Sequence, residues 1–428
     1  MSKAYPTYKD SGIEWLGQIP THWDLLRNKI FITEHDNVVG QDAYKYTLLS
    51  LTKQGVIQRD IESGKGKFPK EFDNYKIVES GNIIFCLFDV DETPRTVGLS
   101  SIDGMITGAY NVFSIKGINS QFYYYYFLAV DEAKALRPLY SGLRKVVKTE
   151  RFAGLRIPVP PEEEQRQIVA YLDYKSNKIN ERICQREREL QTLSELKQAE
   201  IATVVTRGLD PNVPMKESGI EWLGKIPAHW NVKRIASVSH EINDSNVTME
   251  YTQPSQFKFG EIVLKSIIGE GEYDENIKKC TLFKKNDILI NGLNLNYDFV
   301  TQRVAKSNYD GIITPAYIVI RVKDGLSADY AMFLFKSIDN KKIFNGWGTG
   351  IRLTLSYKEL KKQCIPIPPK EEQDAIVAYL QSRITFIDNY IAKLKEEINY
   401  LQEYKQRLIS DVVTGKVDVR GVEIPNEE

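Results

Sequence analysis

Two stretches of this chain occur twice, about 207 residues apart, and that repeat limits what it can fold into. Asp10-Ser-Gly-Ile-Glu-Trp-Leu-Gly-Gln-Ile-Pro-Thr-His-Trp23 returns as Glu217-Ser-Gly-Ile-Glu-Trp-Leu-Gly-Lys-Ile-Pro-Ala-His-Trp230. Ile157-Pro-Val-Pro-Pro-Glu-Glu-Glu-Gln165 returns as Ile365-Pro-Ile-Pro-Pro-Lys-Glu-Glu-Gln373. A weaker echo, Asp103-Gly-Met-Ile-Thr-Gly-Ala-Tyr110 against Asp310-Gly-Ile-Ile-Thr-Pro-Ala-Tyr317, keeps the register between them. The intervening residues have diverged. A repeat of this period, with matched ends and unlike interiors, implies two modules that share a frame and face different targets.

The frame continues into long helices. Pro160-Pro161 and Pro368-Pro369 are each followed by acidic residues, which suit the positive N-terminus of a helix. In the second copy the positions Leu380, Ile384, Ile387, Ile391, Leu394, Ile398, Leu401, Lys405, Leu408 and Val412 form a heptad seam broken only by Lys405. The first copy is weaker: Leu172, Ser176, Ile179, Ile183, Arg186, Leu190, Leu193, Lys197, Glu200 and Val204. Each helix therefore needs the other as its partner, either antiparallel within one chain, which gives a pseudo-twofold repeat, or as a coiled coil between two chains. Helices over residues 162–206 and 371–413 would each run about 65 Å at about 1.5 Å per residue, with Gly208 and Gly415 as stops.

Between the repeats the pattern predicts a mixed α+β fold with short strands at Tyr46–Ser50, Asn82–Phe88, Asn111–Ile115, Ile262–Ser266, Asp287–Ile290 and Tyr317–Val322. Gln121-Phe-Tyr-Tyr-Tyr-Tyr-Phe127 resembles a base-stacking platform, but its counterpart Tyr330-Ala-Met-Phe-Leu-Phe335 is equally apolar, which favours a buried helix. The expected organisation is a first domain at 1–157, a helix at 158–207, a second domain at 208–365, and a distal helix and tail at 366–428.

Charge and chemistry narrow the function. The formal net charge is zero, yet residues 20–156 hold 18 Lys+Arg against 16 Asp+Glu and residues 227–364 hold 19 against 15. The variable modules are thus slightly basic and the shared frame acidic, and local patches such as Arg137–Arg156 decide attraction to phosphate. Cys86, Cys184, Cys280 and Cys364 are scattered, so no zinc ribbon or disulfide framework is indicated, and core or half-buried thiols are expected. The start of the chain has no apolar leader and the longest apolar runs are of strand length, which predicts a cytoplasmic protein without membrane spans. Phosphate-loop, Gly-x-Ser-x-Gly, His-Glu-x-x-His and Asn/Asp-Pro-Pro-Tyr/Phe motifs do not occur, so no catalytic or metal residue is predicted. His22 and His229 recur beside Trp23 and Trp230 and read as framework residues.

With these motifs the chain resembles the specificity subunits of type I restriction-modification systems, over essentially its whole length. The resemblance implies two target-recognition domains, separated by two long antiparallel coiled-coil helices, that read an asymmetric bipartite site on double-stranded DNA. It implies a chain without catalysis of its own and without cofactors, docked by methyltransferase subunits, two of them expected, and joined through the complex by motor-endonuclease subunits. S-adenosylmethionine, ATP and Mg would belong to those partners. A regulatory or anti-restriction DNA-binding protein on the same scaffold, or a structural adaptor, stays open as an alternative.

Candidate DNA contacts follow from residue type and position. Arg144 and Arg352 occupy the same place in Gly142-Leu-Arg-Lys145 and Gly350-Ile-Arg-Leu353, which suits phosphate positioning. Lys145 and Lys148 extend the first patch. Base readers should differ between modules: Lys53, Gln54, Arg59, Lys65, Lys67, Asp91 and Arg95 in the first, and Lys265, Asn294, Asn296, Gln302 and Arg303 in the second.

Overall fold

The computed structural model describes residues 4–59, 72–143, 145–258, 260–265, 274–296 and 302–425. The chain divides into two compact units, Met1–Arg186 with Glu396–Glu428, and Glu187–Lys395. Four helices organise them: α1 (Ser120–Glu132), α2 (Glu162–Arg207), α3 (Ala328–Asn340) and α4 (Lys370–Val413). Each unit takes one variable module, the beginning of one long helix and the end of the other.

Both modules build the same antiparallel sheet. In the first unit the order is Ile32–His35, Asn111–Ile115, Ile83–Phe85, Val97–Leu99. The second unit repeats it with Ser239–Glu241, Ile318–Val322, Ile288–Ile290, Val304–Lys306. A second group of paired strands follows in each. In the second unit it runs Glu261–Leu264, Pro254–Lys258, Gly311–Ile313, Thr281–Phe283, with one parallel pairing. The first unit has the corresponding strand pairs, the hairpin Leu49–Thr52 with Gly55–Gln58 and the non-adjacent pair Gly104–Ile106 with Lys76–Val78, joined by a parallel bridge from Leu48 to Met105. Short β-branched runs bounded by turns account for both sheets. Asn111–Ile115 is a strand as expected, Asp287–Ile290 and Tyr317–Val322 each begin one residue later, and Asn82–Phe88 shortens to Ile83–Phe85. Tyr46–Ser50 and Ile262–Ser266 shift to Leu49–Thr52 and Glu261–Leu264, with Ser266 outside the described residues.

The cores differ although the frame is shared. The first unit packs Phe85, Phe113, Phe127 and Phe152 ring against ring, with centroids 4.8 Å apart for Phe85 and Phe152. The second fills the equivalent space with Ile288, Ile290, Ile318, Tyr330 and Phe335. α1 is part of this interior: Tyr123 is fully buried and its hydroxyl donates to Asn28 at 2.8 Å, while that of Tyr125 donates to Asp173. The run of tyrosines is therefore core, as is Tyr330 of α3, whose hydroxyl donates to the Val205 carbonyl.

The two repeated motifs recur because they bind each other. In the first unit the Glu164 carboxylate, in the first turn of α2, accepts from the Tyr5 hydroxyl at 2.5 Å and the Trp23 indole at 3.0 Å, and meets His22 at 2.8 Å. In the second unit Glu372 meets His229 at 2.7 Å and Trp230 at 3.0 Å. The neighbouring glutamine does the rest: Gln165 accepts from the Asn119 amide ahead of α1, and Gln373 from the Ser327 amide ahead of α3. Each module is closed by strand pairing between its ends, Asp24–Arg27 with Arg156–Val159 and Asn231–Arg234 with Cys364–Ile367. The helix stops also face these motifs. A Cβ on Gly415 would come within 2.3 Å of Pro20, and one on Gly208 within 2.8 Å of Glu372 and 3.4 Å of Trp230, so both positions require glycine beyond their positive φ.

The weak seam of α2 is completed by polar contacts to α4. In the first unit Lys405 donates to Asn180 at 2.9 Å and Arg186 pairs with Glu397 at 2.9 Å. In the second, Lys197 pairs with Asp388 at 2.6 Å and Arg383 with Glu200 at 3.1 Å. Numbers rise along one helix as they fall along the other, so in each unit the two segments run antiparallel, within one chain. Burial pushes the Lys405 amine below its usual range, which fits a polar residue inside an apolar seam. One thiol departs from expectation: Cys184 faces solvent, because it lies off the seam, while Cys86 and Cys280 are buried.

Replacing Glu164 by Ala would leave two buried donors, the Tyr5 hydroxyl and the Trp23 indole, without their acceptor and the exposed His22 without its partner. A loss of about 2–4 kcal/mol in the first unit is expected, and less for Glu164→Gln, which keeps an acceptor oxygen. Glu372→Ala should cost less than Glu164→Ala, since Glu372 is more exposed, at 26% against 5%. Denaturant unfolding followed by hydrogen exchange in each unit reads the ordering; equal losses in the two units would contradict it.

Candidate nucleic-acid interface

In each module the loop between the last two strands of the main sheet lies against a hairpin that leads back towards the long helix. In the first module the Val147 amide of the hairpin Tyr140–Val147 donates to the Leu87 carbonyl of loop 86–96 at 2.7 Å. In the second, Leu355 donates to Gly292 and Leu295 to Leu353, both at 2.9 Å, joining residues 291–296 to the hairpin around Thr349 and Thr354.

Both loops are held from inside by a buried aspartate at the end of the module helix. Asp131 of α1 accepts the Thr96 amide at 3.0 Å, and Asp339 of α3 accepts the Arg303 amide at 2.8 Å. A cation then gathers the loop carbonyls, but from different places. In the first module Lys134 donates to the carbonyls of Val90 and Thr93 and pairs with Asp131. In the second, the Arg303 guanidinium donates to the carbonyls of Asn291, Leu293 and Asn294. Arg303 is expected among the base-reading side chains, and the structure places it inside the module. It is 3% exposed, and its donors are turned onto backbone carbonyls inside the module. The anchors were overlooked in the sequence, although Asp131-x-x-Lys134 and Asp339-x-x-Lys342 stand 208 residues apart.

The remaining candidates distribute as follows. Lys53 and Gln54 form the exposed turn of the hairpin Leu49–Gln58, and Arg59 follows it, half-buried. Lys65, Lys67 and Arg144 lie outside the described residues. Asp91, at the surface of loop 86–96, meets Arg137 at 2.8 Å, Tyr140 at 3.1 Å and Lys145 at 3.3 Å. The Arg137 guanidinium foremost holds its carboxyl below the usual carboxylate range. Lys145, with φ +46°, is thus tied to the loop, whereas Lys148 is exposed. Arg95 is half-buried, near enough to Lys405 for its charge to help lower that amine.

In the second module Asn294 and Asn296 are exposed in segment 291–296, with Asn296 donating weakly to the Ile351 carbonyl at 3.5 Å. Gln302 lies over the turn at Gly260, where a Cβ would come within 2.7 Å of it. Arg352 is exposed at the hairpin tip. Lys265 lines a separate open cleft of about 620 Å³ with Gln256, Asn276, Lys279 and Tyr317, of which the sequence singled out only Lys265. The structure thus brings Asp91 and Lys145 together in one module and Asn294, Asn296 and Arg352 in the other. A backbone fixed from below with polar side chains outward is suited to reading base edges, because little ordering remains to oppose binding.

Replacing Arg303 with Met should free three carbonyls and loosen residues 291–296, with a loss of about 2–4 kcal/mol. Hydrogen exchange should accelerate there and not in loop 86–96. Unchanged exchange in a variant that had lost DNA affinity would restore Arg303 as a reader.

The family model described as the type I restriction modification DNA specificity domain matches residues 40–190 and 227–400. A chain of Methanocaldococcus jannaschii provisionally named the type I restriction enzyme MjaX specificity subunit is 21% identical over 95% of this chain and 96% of its own length. The type I restriction enzyme MjaVIII specificity subunit of the same organism is 26% identical over 63% of this chain and 64% of its own. Among solved structures, a chain from a study of complex assembly and conformational transition of the type I R-M system superposes with a TM-score of 0.62 at 17% identity, covering 92% of this chain and 98% of that one. It shares the fold.

Proposed function

The chain belongs to the type I restriction-modification DNA specificity family, and from that premise we propose that it reads a bipartite, asymmetric site on double-stranded DNA with its two modules. The observation that carries this reading is one frame built twice around two unlike surfaces. The clamps, sheet order and helix pairing recur, whereas the loop of one module presents Asp91 and that of the other Asn294 and Asn296. Each correctly read base pair discriminates by about 1–3 kcal/mol, so two short half-sites joined on one frame multiply specificity without either module binding tightly alone.

In this reading the chain supplies recognition and no catalysis. Methyltransferase subunits, two of them, dock on the long helices and bring S-adenosylmethionine; motor-endonuclease subunits join through that complex and bring ATP and Mg. The helices offer a surface for this. α4 exposes Tyr379, Phe386 and Tyr390 in the second unit and Tyr400 and Tyr404 in the first, with Phe386 65% exposed. Aromatic residues left in water along one helix face are enriched at protein interfaces. In the first unit Tyr171, Lys175, Tyr404 and Arg407 border an open cleft of about 1140 Å³. No helix among the described residues is long and apolar enough to cross a membrane, in keeping with action on DNA in the cytoplasm.

Exchanging residues 24–156 for the module of another family member should change one half of the methylated sequence and leave the other intact. Methylation-sensitive sequencing of DNA from cells expressing the exchanged chain with its methyltransferase subunit reads the outcome. A change in both halves, or a single uninterrupted motif, would contradict the two-reader account.

A further inference from the structure

The two hairpin tips carry a feature that the reading of base edges does not use. Leu143 is 103% exposed and Ile351 97%, the most exposed large apolar side chains among the described residues. They stand at the same place in the repeat, each directly after a glycine of positive φ, Gly142 at +71° and Gly350 at +84°. An aliphatic side chain fully in water contributes nothing to its own fold. Here one is present twice, 208 residues apart, between modules whose interiors have diverged.

Each tip closes a backbone-paired hairpin. Tyr140 and Ser141 pair with Val147 and Val146, and the Ser141 hydroxyl donates to the Val146 carbonyl at 3.0 Å. In the second module Thr349 and Thr354 exchange backbone bonds at 3.0 and 2.9 Å, and Asn296 reaches the Ile351 carbonyl. Each tip is anchored to the loop that carries the polar candidates, and cations stand beside it: Lys145 and Lys148 in one module, Arg352 in the other.

We propose that Leu143 and Ile351 are apolar wedges that enter the DNA and partly unstack a base step in each half-site. This rests on the DNA-reading function proposed above and assigns these two side chains a part in it. An exposed aliphatic at the tip of a backbone-paired hairpin, flanked by cations, is the arrangement by which proteins pry base steps apart. A protein-docking surface would instead present a contiguous apolar patch. Because a wedge touches stacked faces and not base edges, it tolerates sequence, which explains why the two modules keep an aliphatic there while their loops differ. Burial of one such side chain corresponds to about tenfold or more in binding.

The test compares the wild-type full chain with Leu143→Ser, Ile351→Ser and the double variant. The probe is a relaxed closed-circular plasmid carrying sites methylated in vivo, treated with a topoisomerase while protein is bound at saturation. Neither side chain is packed into the fold, so thermal unfolding should be unchanged. The wild-type chain should leave the plasmid underwound after removal of protein, each single variant should reduce that change, and the double variant should abolish it while losing about a hundredfold in affinity. Leu143→Met with Ile351→Leu should retain it. A double variant with unaltered affinity and unaltered linking-number change would overturn the proposal. So would normal DNA binding combined with failure to assemble with the methyltransferase subunit, which would make the tips a protein contact. Absence of DNA binding by the wild-type chain, alone and with that subunit, would overturn the underlying DNA-reading function itself.

Discussion

The structure depends on a carboxylate in the first turn of each long helix. Glu164 and Glu372 draw a histidine and a tryptophan from the distant repeat motif onto the helix start, and the adjoining glutamines hold the loop ahead of the module helix. A negative charge there is favoured by the helix dipole as well as by its donors, so one residue serves the helix, the motif and the closure of the module together. The surroundings are not equal in the two copies. Only the first adds the Tyr5 hydroxyl, which burial and the Glu164 carboxylate push well above the usual phenol range. The frame is therefore repeated in plan and adjusted in detail.

Pairing of the long helices supplies the second constraint. Neither has a seam that would hold alone, and α2 in particular places Arg186, Lys197 and Glu200 where apolar residues would serve a simple coiled coil. Each finds its opposite charge on α4. Exposed ion pairs of this kind add little stability singly, about 0–1 kcal/mol each, but a mismatched register would place like charges together. Their contribution is to specify the pairing, while buried Leu380, Ile387, Leu394 and Val412 supply most of its strength.

Much of this was legible in the sequence, and what was not has physical causes. The repeats, the helices with their glycine stops, and the α+β modules follow from spacing and turn residues, signals local to the chain. The partner of His22 was hidden because Glu164 lies 142 residues away, although both sit inside quoted motifs. The burial of Arg303 was hidden because an arginine in a polar loop looks the same whether its guanidinium faces water or three carbonyls. The anchors Asp131 and Asp339 carry a signal only when the two copies are aligned beyond their obvious motifs. The wedge residues Leu143 and Ile351 stood in the aligned tetrapeptides, but only exposure distinguishes them from core.

The proposed function puts one reader on each module, and the long helices, which run through both units, are the element to alter. Seven residues inserted into α2 after Arg186, with seven inserted into α4 before Glu396, would preserve both the seam and the antiparallel register. They would lengthen each helix by about 10 Å, equivalent to about three base pairs of DNA. Selection from a duplex library with randomised spacer length measures the result directly. The account predicts unchanged half-site sequences and a preferred spacer longer by about three base pairs; a folded, DNA-binding variant that keeps the original spacer would contradict it.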